Sequence, residues 1–475
     1  MQLFKPLMLY QVCAVIATTT LFQTTPVNAE TLREQLLSME VGSALAGDAT
    51  VPLAGTESFR QLAGNASMSE RARFTFGKIQ FNTEWDPAPG DVPSNDGLGP
   101  VFNAIACASC HVNNGRGSPP TSASEAFEAL LVRLSIPGTN PHGGPKPIPQ
   151  YGDQLQHRSV EGVPAEGSAQ LHYEIIIGQF TEGENYELRK PIVTFTDLQF
   201  GDLPTDAMYS LRLASPVIGL GLLEAVPAST LEQLADPQDA NGDGISGRTN
   251  RVWSNELKQE VIGRFGWKAN VATVTEQNAG AALGDMGITT ELLPTDNCAP
   301  GQKQCLAAAV HSNEVEFQSD FFSQLNRYVR LIGVPAQRNS DDPVVQVGSQ
   351  LFSAYGCVEC HIQTLQTQTE TIRPELANQT IHPYSDLLLH DMGEGLADGR
   401  PDFQATGSEW RTAPLWGIGL TGVVSQNEHY LHDGRARNLS EAILWHGGEA
   451  QRARDHFATA PKESRAALIK FLKSI

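Results

Sequence analysis

Basic residues are in short supply. Lys and Arg number 33 against 53 Asp and Glu, leaving a net charge of −20. A chain of that balance repels phosphate, which excludes a nucleic-acid binder and a ligand of anionic membranes. No repeat of 20–50 residues runs along the chain, which excludes solenoids and propellers. Beyond the first thirty residues no apolar run reaches the roughly 20 residues that a membrane helix needs. Disorder is excluded by a hydrophobic content of 40%. What the chain has in quantity is turn formers, 43 Gly and 29 Pro in 475 residues, so loops should be long.

The one apolar run, about Leu7 to Phe22, follows Lys5 and leads to Val27-Asn28-Ala29. Small residues at those positions suit a signal peptidase, so residues 1–29 read as a secretory leader and Cys13 leaves with it. Losing Lys5, the leader's only charge, takes the net charge to −21. The expectation is an exported, periplasmic protein with no membrane span in its mature chain.

Of the six remaining cysteines, four fall into two copies of one pattern: Cys107-Ala-Ser-Cys110-His111 and Cys357-Val-Glu-Cys360-His361. C-x-x-C-H is the attachment site of c-type haem: two thiols add to two vinyl groups and the adjacent His reaches the iron. Zinc would want a second pair of ligands near each motif, and none is clustered there. Two covalently bound c-type haems, on His111 and His361, follow as the expected cofactors. Cys298 and Cys305 flank a short Pro- and Gly-containing stretch; in an oxidising compartment a local disulfide is expected, with a redox-active pair as the alternative.

The expected fold is mainly α with loop-rich β insertions: two cytochrome c-like haem domains, the N-terminal one strongly elaborated. The domains would be 30–290, with an insertion at roughly 120–290, and 342–475, joined by a linker at 291–341. Strands are expected at 171–180 and 192–196. Helices are expected at about Glu314–Ile332, ahead of the second motif with Val344, Val347 and Leu351 on one face, and at the C-terminus after Pro461 with Ala466, Ala467, Leu468, Phe471 and Leu472 on one face. Asn438-Leu-Ser-Glu441 reads as a capping box.

Distal ligands decide what each haem does. Met392 lies 31 residues after His361, a reach that suits a loop returning over the same haem, with His390 as its competitor. For the first haem His142, Met286 and His172 are available, none with diagnostic spacing. Trp267 and Trp416 are candidate aromatic bridges, against ordinary core packing for either. Asp239, Asn241, Asp243, Ile245 and Asn250 occupy positions 1, 3, 5, 7 and 12 of a calcium-loop pattern, with Asn250 where a bidentate Glu is usual; an ion-free Asx- and Gly-rich turn is the alternative.

The two motifs, with Gly97–Asn103, Tyr151–Gln156, Leu188–Pro191, Gly219–Ala225, Gly242–Asn250, Gly263–Ala269, Asp285–Thr289, Leu387–Gly393, Trp410–Gly419, Leu431–Ala436 and Trp445–Ala450, resemble the di-haem oxidoreductases of peroxidase type, also called thiol-oxidoreductase-like proteins. These are similar in turn to bacterial di-haem cytochrome c peroxidases. Those share a Tyr/Phe-His-Asp-Gly segment, which resembles Tyr430-Leu-His432-Asp433-Gly434 with Leu431 intervening. Their Met ligand upstream supports Met392, while their mobile distal His has no counterpart here.

The resemblance implies a peroxidase-like oxidoreductase. A six-coordinate electron-transfer haem (His361, Met392) would take electrons from a small cytochrome c or cupredoxin. The other haem (His111) would meet hydrogen peroxide or another small oxidant. Glu166, Glu182 and His142 are candidate acid/base residues. The rivals are an electron-transfer cytochrome without substrate chemistry and an oxidase of a protein or thiol substrate.

Overall fold

A computed structural model describes residues 29–39, 41–122, 125–309 and 315–475. The leader read at 1–29, with Cys13, lies outside the described residues except for Ala29. Two crossed helix pairs organise the chain. Helix Met68–Asn82 crosses Ser319–Arg330, and helix Pro343–Ala354 crosses Lys462–Leu472. Each pair carries one C-x-x-C-H motif beside it.

The two crossings are built alike. A Cβ on Gly77 would meet Gln324 O at 2.1 Å and Tyr328 Cβ at 2.5 Å. One on Gly348 would meet Ala467 O at 2.1 Å and Phe471 Cβ at 2.6 Å. Only glycine allows the two backbones to approach that closely. Four residues on from each glycine stands a phenylalanine. Phe81 packs on Tyr328 at 5.6 Å and on the His111 ring at 6.2 Å. Phe352 packs on Phe471 at 5.4 Å and on the His361 ring at 6.3 Å. Phe74, Phe81, Tyr328, Phe352, Leu468 and Phe471 all belong to one hydrophobic core, so the two pairs are welded through shared apolar contacts. Each such fully buried side chain contributes about 1.5–3 kcal/mol.

The helix Pro343–Ala354 starts where Pro343 can sit without a donor and where Asp342 accepts Val344 N–H at 2.8 Å. Its buried face differs from the expected one. Val345, Gly348 and Phe352 face inward, whereas Val344 and Val347 are 44% and 47% exposed. Both registers are apolar; the one bearing the glycine wins because it alone permits the close crossing. At the C-terminus Ala467, Leu468, Phe471 and Leu472 are buried as expected, but Ala466 is exposed and Arg465 is buried. The helix expected from Glu314 begins at Ser319; Glu314 is outside the described residues. Asn438 caps Leu439–Leu444, accepting Glu441 N–H at 2.9 Å while its amide donates to Glu441 Oε1 at 3.1 Å.

Small sheets fill the inserted region. Leu130–Thr139 pairs antiparallel with Met208–Leu213, and strands Ser168–Gln179 and Asn185–Thr196 form a long hairpin in unbroken register. The strands expected at 171–180 and 192–196 lie on the two arms of that hairpin, apart from Phe180 at its turn. Its root (Ala169, Leu171, Val193) joins a second core with Leu130, Val132 and Leu213. Thr50–Val51 runs parallel to Val334–Pro335, tying the start of the described chain to the junction between the helix pairs. Cys298 and Cys305 are disulfide-bonded, with Cα atoms 5.6 Å apart. Among the described residues no helix is long and apolar enough to cross a membrane.

Candidate functional site

Gly356 (φ +84) stops the helix Pro343–Ala354 and turns the chain into Cys357–His361. The His361 ring is fixed by a 2.8 Å hydrogen bond between Nδ1 and Tyr384 O. A carbonyl only accepts, so Nδ1 carries the proton and Nε2 keeps its lone pair. A cavity of about 400 Å³ opens beside this motif, lined by Cys357, Cys360, His361, Met392, His446 and Trp410 among others. Burial lowers the His361 pKa to about 4 and also lowers that of His446, so both rings are neutral at neutral pH.

His390 also reaches this cavity, but neither of its nitrogens is free. Nε2 meets Asp386 at 2.8 Å and Nδ1 meets Glu449 at 2.7 Å. Burial alone would discharge the ring; Cys360 and the Asp386 carboxylate outweigh it and raise its pKa. That arrangement is an ion triad, and it leaves no lone pair for a metal.

The first motif forms one short helix, Cys107–Cys110. Three residues past His111, the Asn114 amide donates to Tyr328 Oη at 2.7 Å and to Phe59 O at 2.9 Å, locking the motif to the crossing helix. His111 is partly buried, and its buried Nδ1 makes no hydrogen bond of ordinary geometry. Burial pushes the Cys107 and Cys357 thiols up to about 12. A redox-active C-x-x-C is favoured by a depressed thiol pKa, and Cys107 and Cys357 are shifted the other way. Four free thiols in two pairs, each pair followed by a partly buried imidazole, are the donor set that covalent haem requires.

Asp285 sits behind the first motif and raises the pKa of both its cysteines. Burial lifts the Asp285 carboxyl to about 6 against a hydrogen bond from Gln154. From there a buried polar chain runs outward. Gln154 Nε2 donates to Asp285 at 3.0 Å and to Asn103 at 2.7 Å; Gln156 Nε2 donates to Gly284 O at 2.7 Å; Gln156 N–H donates to Glu166 at 2.7 Å. Glu166 is 1% exposed, and burial raises its pKa to about 8 despite bonds from Gln156 and Gln302.

The other acid/base candidates have different surroundings. Glu182, at the tip of the long hairpin, pairs with Arg465 at 3.2 Å. His142 is exposed and stacks on Trp253 at 4.5 Å. In neither case is the partner a residue of a C-x-x-C-H motif. His172 is exposed on the hairpin, and Met286 is a buried core residue.

Trp267 lines the cavity and donates Nε1–H to Leu213 O at 2.9 Å. On one side is Arg116, five residues past His111, with its guanidinium 5.4 Å from the ring. On the other is His432, 6.5 Å away, which stacks on Trp410 at 3.6 Å. Burial lowers the His432 pKa to about 3 despite Asp433 next to it. Leu431, the intervening residue, takes φ +69. That left-handed turn costs a side-chain-bearing residue about 1–2 kcal/mol and re-aims His432 within the loop. Trp416, by contrast, is a core residue packed on Gly219.

In the loop at 239–245 the side chains bond their own backbone: Asp239 accepts from Gly244 N–H, Asn241 from Asp243 N–H and Asp243 from Ile245 N–H. Asn250 is not brought to them. Its buried amide donates to Lys268 O and Asp402 O and accepts from Gln404 N–H.

Sequence reasoning missed His446 and Asp285 as site residues. Neither has a diagnostic spacing. The one available signal was the Gly-x-x-x-Phe of 77–81, which matches 348–352 and marks the helix of the first pair.

Residues 41–475 match a family model described as "Di-haem oxidoreductase, putative peroxidase". No curated protein matches the chain. Among solved structures, a chain of Kuenenia stuttgartiensis hydrazine synthase, pressurised with xenon, aligns at 12% identity with a TM-score of 0.35, covering 99% of this chain and 100% of that one. At that score the likeness carries no argument.

Proposed function

The chain belongs to the di-haem oxidoreductase family, and from that membership we propose that it is an exported, peroxidase-type enzyme holding two covalent c-type haems. Cys107 and Cys110 would hold one haem with His111 as its ligand, and Cys357 and Cys360 the other with His361. Bound haem supplies one-electron chemistry and, where one face is open, a place for hydrogen peroxide or a similar small oxidant. The observation that carries this reading is the repetition of one frame: a glycine-tight helix crossing, a phenylalanine against an imidazole, and a C-x-x-C-H, twice in one chain.

The roles divide by surroundings. The second motif faces a cavity that Met392 and His446 also line, which suits a six-coordinate electron-transfer centre. The first motif has a buried proton-holding chain behind it, which suits the oxidant-binding centre. Glu166, protonated near neutral pH, is the candidate proton store, connected through Gln156 and Gly284 to Asp285. Trp267 is the candidate bridge, because Arg116 joins it to the first motif and the cavity joins it to the second. Domains at 30–290 and 342–475 remain our division, with helix Ser319–Arg330 of the 291–341 stretch closing the first haem's frame. Export places the disulfide in an oxidising compartment, and the −20 charge favours a small donor, cytochrome c or cupredoxin, that docks through a basic patch.

Pyridine haemochrome analysis of the exported protein tests attachment: two haems per chain, falling to one in Cys107→Ser and in Cys357→Ser. Electron paramagnetic resonance then tests the chemistry. A high-spin haem in at least one redox state is expected. Two haems that stay low-spin after reduction would leave an electron-transfer cytochrome instead.

A further inference from the structure

The backbone just after His446 runs beside that of Met392, next to the second motif's cavity. The Met392 carbonyl lies 3.1 Å from the place where a Cβ on Gly447 would sit. Both side chains line the cavity that His361 faces. Only one of them has its donor atom prepared.

His446 follows helix Leu439–Leu444, with its N–H on Ile443 O at 3.0 Å and its ring Nδ1 on Ala442 O at 2.7 Å. Because a carbonyl only accepts, Nδ1 holds the proton and the lone pair is on Nε2. This is the same device that fixes His361 through Tyr384 O. Metal-binding imidazoles are oriented by just such a bond on the other nitrogen. No described residue bonds His446 Nε2, so the prepared lone pair is left to the cavity. Met392 follows a strand end, with its backbone N–H on Ser408 O at 3.0 Å; its partly buried side chain packs against the main core, and no hydrogen bond orients its sulfur.

We infer that His446, not Met392, is the sixth ligand of the second haem, making that centre bis-histidine. The inference rests on the proposed attachment of haem at Cys357 and Cys360. It deepens that reading by assigning the electron-transfer centre a low potential, since a methionine ligand raises the potential and an imidazole does not.

The ordinary alternative is that His446 only caps the helix by bonding its last carbonyls. Spectra of the full-length holoprotein separate the two roles. The oxidised wild type should show a low-spin bis-imidazole signal for the second haem and no near-infrared thioether-to-iron band from it. His446→Ala should make that haem high-spin, and added imidazole should restore the low-spin signal. His446→Met should raise its midpoint potential. Met392→Ala should change none of these. A high-spin second haem in Met392→Ala, with His446→Ala still low-spin, would overturn the inference. If His446→Ala fails to fold, the wild-type thioether band and Met392→Ala still decide the question. Haem counts keep the two failures distinct: loss of covalent haem at Cys357 and Cys360 sinks the attachment reading, whereas attached haem with the wrong ligand sinks only this one.

Discussion

The two helix crossings make a prediction whose size can be worked out. In Gly348→Ala the new methyl would stand 2.1 Å from Ala467 O, 2.6 Å from Phe471 Cβ and 2.8 Å from Ala467 C. Two of those three contacts are backbone, so no rotamer change relieves them. The helices must separate by about an ångström, and overpacking of that kind costs about 1–3 kcal/mol. Separation also loosens the Phe352–Phe471 pair, now at 5.4 Å, which is worth a further 0.5–1.5 kcal/mol or so. Against this, alanine is favoured over glycine inside a helix by about 1 kcal/mol. The net expectation is a loss of roughly 1–3 kcal/mol, by the same principles of packing and propensity. Gly280 supplies the control. It lies in helix Val274–Met286 with nothing within 4 Å of an added Cβ, so Gly280→Ala should be neutral or stabilising. Urea unfolding followed by the visible spectrum of the second haem measures both. Equal midpoints for the two variants would refute the close-crossing argument, and with it the claim that the two motifs share one frame.

Other expectations are briefer. Because burial raises the Glu166 pKa from 4.5 to about 8, its contribution to stability is complete below about pH 4.5 and is lost as pH rises through about 8; at 1.36 kcal/mol per unit that is roughly 3–5 kcal/mol. Glu166→Gln should flatten the fall in urea stability across that window, and an unchanged slope would count against the buried-acid reading. Trp267→Phe should slow electron exchange between the two haems in a stopped-flow experiment while leaving both static spectra as they were; an unaltered rate removes Trp267 from the path. Since Asn250 is turned away from the 239–245 loop and that loop closes on itself, thermal midpoints in calcium and in EDTA should coincide. A higher midpoint in calcium would revive an ion at Asp239, Asn241 and Asp243.

Features set by short spacing were legible in the chain. The two C-x-x-C-H motifs, the Cys298–Cys305 pair and the Asn438 cap each depend on residues within ten positions of one another, and local chemistry fixes them. Whatever needed a distant partner was hidden. Val344, Val347 and Leu351 form as good an apolar stripe as Val345 and Phe352, and only the opposing backbone of Ala467 selects the second. The stretch 291–341 reads as a linker because helix Ser319–Arg330 has its partner, Met68–Asn82, on the far side of the whole inserted region.

The site divides along the same line. His111 and His361 are part of the motifs themselves, so they could be named at once as the proposed proximal ligands. A residue opposite them is bound by no spacing, so a methionine 31 residues downstream and a histidine 85 residues downstream are equally allowed by chain length. Their difference lies in preparation. Met392 reaches the cavity with a soft donor held only by apolar packing, whereas His446 arrives with its tautomer already chosen by Ala442 O. Fixing the tautomer in advance spares a ligand part of the ordering cost of binding, and that advantage cannot be read from residue type alone. The same reasoning removes His390. Its imidazole is closer in sequence to the motif than either, yet Asp386 and Glu449 occupy both nitrogens and hold it as a cation. A histidine that is fully partnered is lost to the metal, and one that is half partnered is poised for it.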